Sequence, residues 1–164
     1  MKDDIVEKLK LLDDTGLVSV YGHWMNELKE RGMIRTKNVI GELGEYFAIK
    51  YYIENPKFPK LQAAPTGTQN IDAISINGER YAIKSTTTKC TGVFYGLNEP
   101  NSDIFEIQKF EYVIIVQFNK DVSLNSIYQL SWENFLKHKR WHRRVRAWNL
   151  TLRKDLIDDC VKIF

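Results

Sequence analysis

The run Tyr112-Val113-Ile114-Ile115-Val116-Gln117-Phe118 carries six apolar or aromatic side chains in seven consecutive positions. A strand with one wet face alternates apolar and polar residues. A run without alternation predicts a strand covered on both faces, as in the centre of a sheet with helices or loops packed above and below it. The rest of the chain must supply neighbouring strands and those covers.

Helical segments flank this run. Ile5, Leu9 and Leu12 recur at helical spacing and predict a helix over 3–14, with Asp3 and Asp4 complementing its N-terminus and Gly16 ending it. A second helix is expected from about Ser19 to Arg31, with Trp24, Met25 and Leu28 as packing residues and Gly32 as its C-terminal stop. Thr36 is the expected cap of a third, Asn38 to Glu54, which stops before Pro56 and Pro59. Ser131 is the expected cap of a helix reaching about Lys137, and Lys154 to Ile163 reads as a final helix. Between them, Leu61–Ala64 and Ile127–Leu130 read as strands, and Pro65–Asn70 carries turn residues. Thr91–Leu97 fits a strand or an ordered aromatic loop, and Ile104–Phe110 a short helical turn. The pattern predicts a mixed α/β domain with helices packed on a sheet.

A chain of 164 residues is long enough for one core, and no repeat, linker or low-complexity tract argues for a second domain. Hydrophobic residues at 43% and charged residues at 27% give a globular, soluble balance. No apolar run nears the ~20 residues that span a bilayer, and the first residues show no charged-then-apolar leader, so a cytoplasmic protein without a membrane partner is expected. Cys90 and Cys160 form no C-x-x-C motif and read as reduced thiols.

Charge is unevenly placed. Lys137, Lys139, Arg140, Arg143, Arg144 and Arg146 put six cations and no acid into residues 137–146, interleaved with His138, Trp141 and His142. Without them, 18 basic residues face 21 acids, so positive charge is concentrated in this stretch, as expected of a polyanion binder. His138 and His142, four residues apart, would share a helix face and offer a weaker alternative, a metal pair. No glycine-rich phosphate loop or G-x-S-x-G elbow is present.

The segment Asn70–Thr86 reads as a hairpin with Asp72 on one strand and Lys84 on the next, preceded by the helix carrying Gly41, Glu45, Ala48 and Tyr52 on one face. Phosphodiester hydrolysis needs an activated water and charge stabilisation, both of which a divalent metal supplies. Mg²⁺ takes one or two carboxylates plus water and substrate phosphate. Asp72 and Glu45 qualify as those carboxylates and Lys84 as a cation at the phosphate. Register decides whether they can meet. A two-residue turn at Asn77-Gly78 sets Asp72 opposite Ile83 and puts Lys84 on the wrong face. A three-residue loop Ile76-Asn77-Gly78, with Gly78 left-handed, pairs Ser75 with Glu79 and sets Asp72 opposite Ala82, on the face of Lys84.

The order Gly41-Glu42-Leu43-Gly44-Glu45, then Asn70-Ile71-Asp72, then Ala82-Ile83-Lys84 resembles the PD-(D/E)XK nuclease superfamily over roughly residues 38–118. The resemblance implies a restriction-endonuclease-like core with a mixed central sheet flanked by helices over 36–164, a helical extension over 1–35, and one domain over 1–164. It implies a Mg²⁺- (or Mn²⁺-) dependent DNA endonuclease of restriction or repair type, with Glu45, Asp72 and Lys84 catalytic and the metal held by Asp72, the Ile83 carbonyl and Glu45. Ala82 departs from it, because the family places an acid or glutamine ligand there. A relocated ligand such as Glu45 or Glu42, a non-cleaving relative, and a disabling substitution all remain open. Ser85, Thr86 and Lys89, with Lys139, Arg140, Arg143, Arg144 and Arg146, are the expected DNA contacts. Cutting both strands of duplex DNA requires two sites, so a homodimer is expected, through the N-terminal helices. The alternative function is a nuclease-fold DNA-binding module with weakened or no catalysis.

Overall fold

The computed structural model describes residues 2–65 and 67–164, leaving aside the side chain of Lys2. Thr66, within the expected turn at Pro65–Asn70, lies outside the described residues. The chain divides into two compact units, Met1–Lys37 and Asn38–Phe164.

The first unit holds α1 (Lys2–Lys10) and α2 (Asp14–Glu30). The first helix is shorter than its periodicity predicts because Asp13 caps the second, its Oδ1 accepting the Gly16 N–H at 2.8 Å. Gly16 therefore sits in the first turn of α2 and terminates nothing. The end of α2 is as expected. Gly32 takes φ +67°, its N–H bonds the Lys29 carbonyl, and Met33 N–H reaches back to the Leu28 carbonyl, both at 2.9 Å. Met25 and Leu28 are buried, but Trp24 is exposed together with Ile5, Leu12, Leu17 and Tyr21.

The second unit is a six-stranded mixed sheet with helices. It comprises α3 (Val39–Glu54), β1 (Leu61–Ala63), β2 (Ala73–Ser75), β3 (Arg80–Thr86), β4 (Tyr112–Phe118), β5 (Leu124–Ser131), α4 (Trp132–His138), β6 (Arg140–His142), β7 (Ala147–Asn149), α5 (Lys154–Asp158) and β8 (Val161–Lys162). The sheet order is β1-β2-β3-β4-β5-β8, with β3 and β4 parallel and the other neighbours antiparallel. The continuous apolar run is β4, fully buried from Val113 to Val116 between β3 and β5. Asn38, not Thr36, occupies the position before α3. Ser131 caps α4 by accepting the Asn134 N–H.

Each face of the sheet has its own cover. On one, α3 presses so closely that a Cβ on Gly44 would lie 1.9 Å from Ser85 Oγ. Farther along α3, Tyr52 packs edge-on against Tyr81 at 5.7 Å and donates its hydroxyl to Gln129. Burial raises both phenol pKa values well above the usual range. On the other face Ala82, Val113, Ile115 and Leu130 join Phe94, Phe110, Phe135, Leu150, Leu152 and Leu156 in one apolar cluster.

Parallel β3 and β4 need a crossover, usually helical. Here residues 87–111 are irregular, and the helical turn expected at Ile104–Phe110 does not form. Side chains take over the bonding of this loop: Asn98 N–H donates to the Glu106 carboxylate and Asn98 Nδ2 to the Ile104 carbonyl. The expected final helix stops at Asp158, because the following residues add β8 to the edge of β5, with Ile163 N–H on the Ile127 carbonyl at 2.8 Å.

Candidate functional site

The β2–β3 hairpin has the three-residue loop. Ser75 N–H donates to the Glu79 carbonyl and Gly78 N–H to the Ser75 carbonyl, both at 2.9 Å, while Gly78 takes φ +85°. Register partners Ala73–Tyr81 and Ile74–Arg80 extend this pairing toward Asp72 and Ala82. Glu79 supports the turn from outside it, its carboxylate accepting the Ser75 hydroxyl at 2.9 Å.

At Asp72 the ladder changes. Asp72 N–H bonds the Tyr81 carbonyl at 2.8 Å, although Ala73 is the register partner of Tyr81, and its own carbonyl accepts from Ala64 N–H. Two residues then oppose one, which bends β2 away from β3. The Asp72 side chain fills the vacated place, Oδ2 accepting the Ile83 N–H at 2.7 Å. Thus the carboxylate lies along the edge of β3 and does not stand over one face of a regular strand. Among the described residues nothing donates to Oδ1. Because N–H and C=O of one strand residue point to the same edge, the Ile83 carbonyl faces the same side as the Asp72 carboxylate. Two oxygen donors therefore face the same edge of β3.

Lys84 follows directly. It shares the Ala82 face, is half-buried, and holds Nζ 5.1 Å from the centre of the buried Phe94 ring. Among the described residues it forms no ion pair, with Asp72 or any other acid. An ammonium over an aromatic face keeps its charge available to an incoming anion. Ala82 is fully buried in the Phe94 cluster, so an acid there would have to enter an apolar layer.

The upstream helix brings Glu45 to the level of the Gly44–Ser85 contact, where it is half-buried; Glu42, one turn earlier, is buried. The buried residues of α3 are Glu42, Leu43, Gly44, Ala48 and Tyr52, so the sheet-facing side is rotated from the expected Gly41, Glu45, Ala48 and Tyr52 set. Ser85 and Thr86 turn their hydroxyls inward. Ser85 Oγ donates to the Gly41 carbonyl at 3.4 Å, and Thr86 Oγ1 donates to the Cys90 carbonyl at 2.7 Å. Lys89 is exposed. Among the described residues no group of three or more His, Cys, Asp or Glu surrounds a common metal position. A Mg²⁺ ion that keeps several waters requires no such cage, and the Asp72 and Ile83 oxygens fit that demand.

The basic stretch is a hairpin, β6–β7, with Arg140, Trp141 and His142 paired to Asn149, Trp148 and Ala147. The two indoles meet edge-on at 5.1 Å. His138 ends α4 and His142 lies in β6, so they share no helix face, and the metal pair is overturned. The His138 ring instead contacts Asp159 at 2.7 Å. Half of the six cations are paired within the chain: Lys137 with Asp159, Lys139 with Glu106, and Arg146 with Glu99. Lys137 and His138 together hold the Asp159 carboxyl below the usual range. Arg140, Arg143 and Arg144 are exposed and, among the described residues, have no acidic partner.

The hairpin also adjoins Lys84. Phe94 N–H bonds the Trp148 carbonyl at 2.6 Å, and the Lys139 ammonium lies 4.3 Å from the Trp148 ring. Sequence reading missed Phe94, Trp148 and the pairing acids Glu99, Glu106 and Asp159, all distant along the chain. One signal was present: Trp141 and Trp148 bracketing an arginine-rich turn is a hairpin pattern.

No family model matches the chain, and no match to a curated protein was found. Among the described residues no helix is long and apolar enough to cross a membrane.

Proposed function

We propose that the chain is a Mg²⁺- or Mn²⁺-dependent DNA endonuclease with a restriction-endonuclease-like core. The observation that carries this reading is the break at Asp72, which puts a carboxylate and the Ile83 carbonyl at one edge of β3, one residue before an unpaired lysine. Asp72 and Ile83 would hold the ion; Glu45, the helical candidate for a further ligand, lies on α3, which covers the face of β3 opposite to that of Lys84. The metal would supply Lewis acidity and a lowered water pKa. Lys84 would neutralise charge developing on the phosphate, and Arg140, Arg143 and Arg144 with Lys89 would bind flanking phosphates. Duplex cleavage implies two copies, and the exposed apolar residues of α1 and α2 suit that contact.

One observation favours the second reading, a DNA-binding module that does not cut: buried Ala82 provides no side-chain oxygen. Supercoiled plasmid incubated with Mg²⁺ or Mn²⁺ separates the two. The endonuclease reading predicts nicking that falls by about 10² or more in Lys84→Ala with DNA affinity nearly unchanged. Salt-sensitive binding without nicking in the unaltered protein supports the module.

A further inference from the structure

Within the crossover loop, Ile104 is 73% exposed, Phe105 88% and Ile107 66%. Three large apolar side chains in water on one short segment are unfavourable, and the loop does not fold them inward because it is fastened at several points. Glu106 binds Lys139 at 3.3 Å, with both side chains largely buried. Glu99 pairs with Arg146 at the turn of the β6–β7 hairpin, and Trp148 Nε1 donates to the Asn98 carbonyl at 2.8 Å. These ties lay the loop along the hairpin, with Phe105 one residue from the Glu106 that pairs with Lys139, itself the neighbour of the unpaired Arg140.

An apolar tip on a loop fastened to the hairpin that carries the exposed Arg140, Arg143 and Arg144 has the chemistry of a duplex wedge: the arginines take phosphates while an aromatic or aliphatic side chain enters between two base pairs and unstacks them. We propose that Phe105, flanked by Ile104, is such a wedge and that its partner is a base step of double-stranded DNA. The proposal rests on the DNA-binding part of the functional reading and not on cleavage. The exposed Arg140, Arg143 and Arg144 of the same hairpin, with no acidic partner among the described residues, argue for a polyanionic partner.

The test is binding of a duplex carrying 2-aminopurine, in EDTA so that no strand is cut. The unaltered protein should raise the fluorescence of the unstacked base. Phe105→Ala should abolish that rise and weaken binding about tenfold, the size of a single base–aromatic stacking interaction, while keeping the salt dependence. Phe105→Leu should recover part of both. Circular dichroism would check that the variants stay folded. Equal affinity and fluorescence in Phe105→Ala would overturn the wedge, as would failure of the unaltered protein to bind duplex. Phe105-dependent binding to anionic vesicles without a fluorescence rise on DNA would also overturn it, by assigning the tip to a membrane surface. Absence of plasmid nicking would sink the endonuclease reading and leave this result standing.

Discussion

Two hairpins divide the chemistry of this chain. The β2–β3 hairpin is built into the six-stranded sheet, with its functional groups set by register and a local break. The β6–β7 hairpin is a separate two-stranded ribbon whose turn and arginines are exposed. In the first, each side chain has one place to go, because packing on both faces fixes the pleat. In the second, half of the cations are held by acids from loops and α5-end residues and the rest remain for a ligand. In the proposed reading the metal site lies within the packed sheet and the phosphate contacts lie where cations have no acidic partner among the described residues.

The largest effect expected from separating the two is on folding. Gly44→Ala would drive a methyl into Ser85 Oγ, so the helix must shift off β3. The overpacking cost of about 1–3 kcal/mol exceeds the modest gain in helix propensity of about 1 kcal/mol. Chemical denaturation should show a net loss of stability, and any cleavage should fall with it, while the arginine ribbon keeps its phosphate affinity. An unchanged or raised midpoint would mean that the close approach of α3 does not position the β3 edge.

A smaller and selective effect is expected at the ribbon. Arg143→Ala with Arg144→Ala removes two exposed cations that have no acidic partner among the described residues. The slope of log affinity against log salt should flatten by about 2, at about 0.9 for each phosphate no longer neutralised. Stability should stay within about 0.5 kcal/mol. The matching change at Lys137 or Lys139 should move the slope less, because each already neutralises a carboxylate.

The contrast also explains what the sequence disclosed. The sequence left two loop lengths open at Asn77-Gly78, and the structure has the three-residue loop with left-handed Gly78, the one that the proposed site required. The Tyr112–Phe118 run was readable because burial on both sides removes alternation. The divergence at Asp72 was not readable, since it depends on Asp72 replacing a backbone acceptor for Ile83, a contact across strands. Nor was the internal pairing of the basic stretch, whose acids come from positions 99, 106 and 159. The final helix failed for a related reason: edge pairing to β5 overrode local propensity after Asp158.

The central claim is that the oxygens at the broken edge of β3 hold a divalent ion, and Mn²⁺ titration of ¹⁵N-labelled protein tests it directly. Paramagnetic broadening should appear first at the Ile83 and Lys84 amides and should vanish in Asp72→Asn. First broadening elsewhere, or broadening at Ile83 that persists unchanged in Asp72→Asn, would contradict the account.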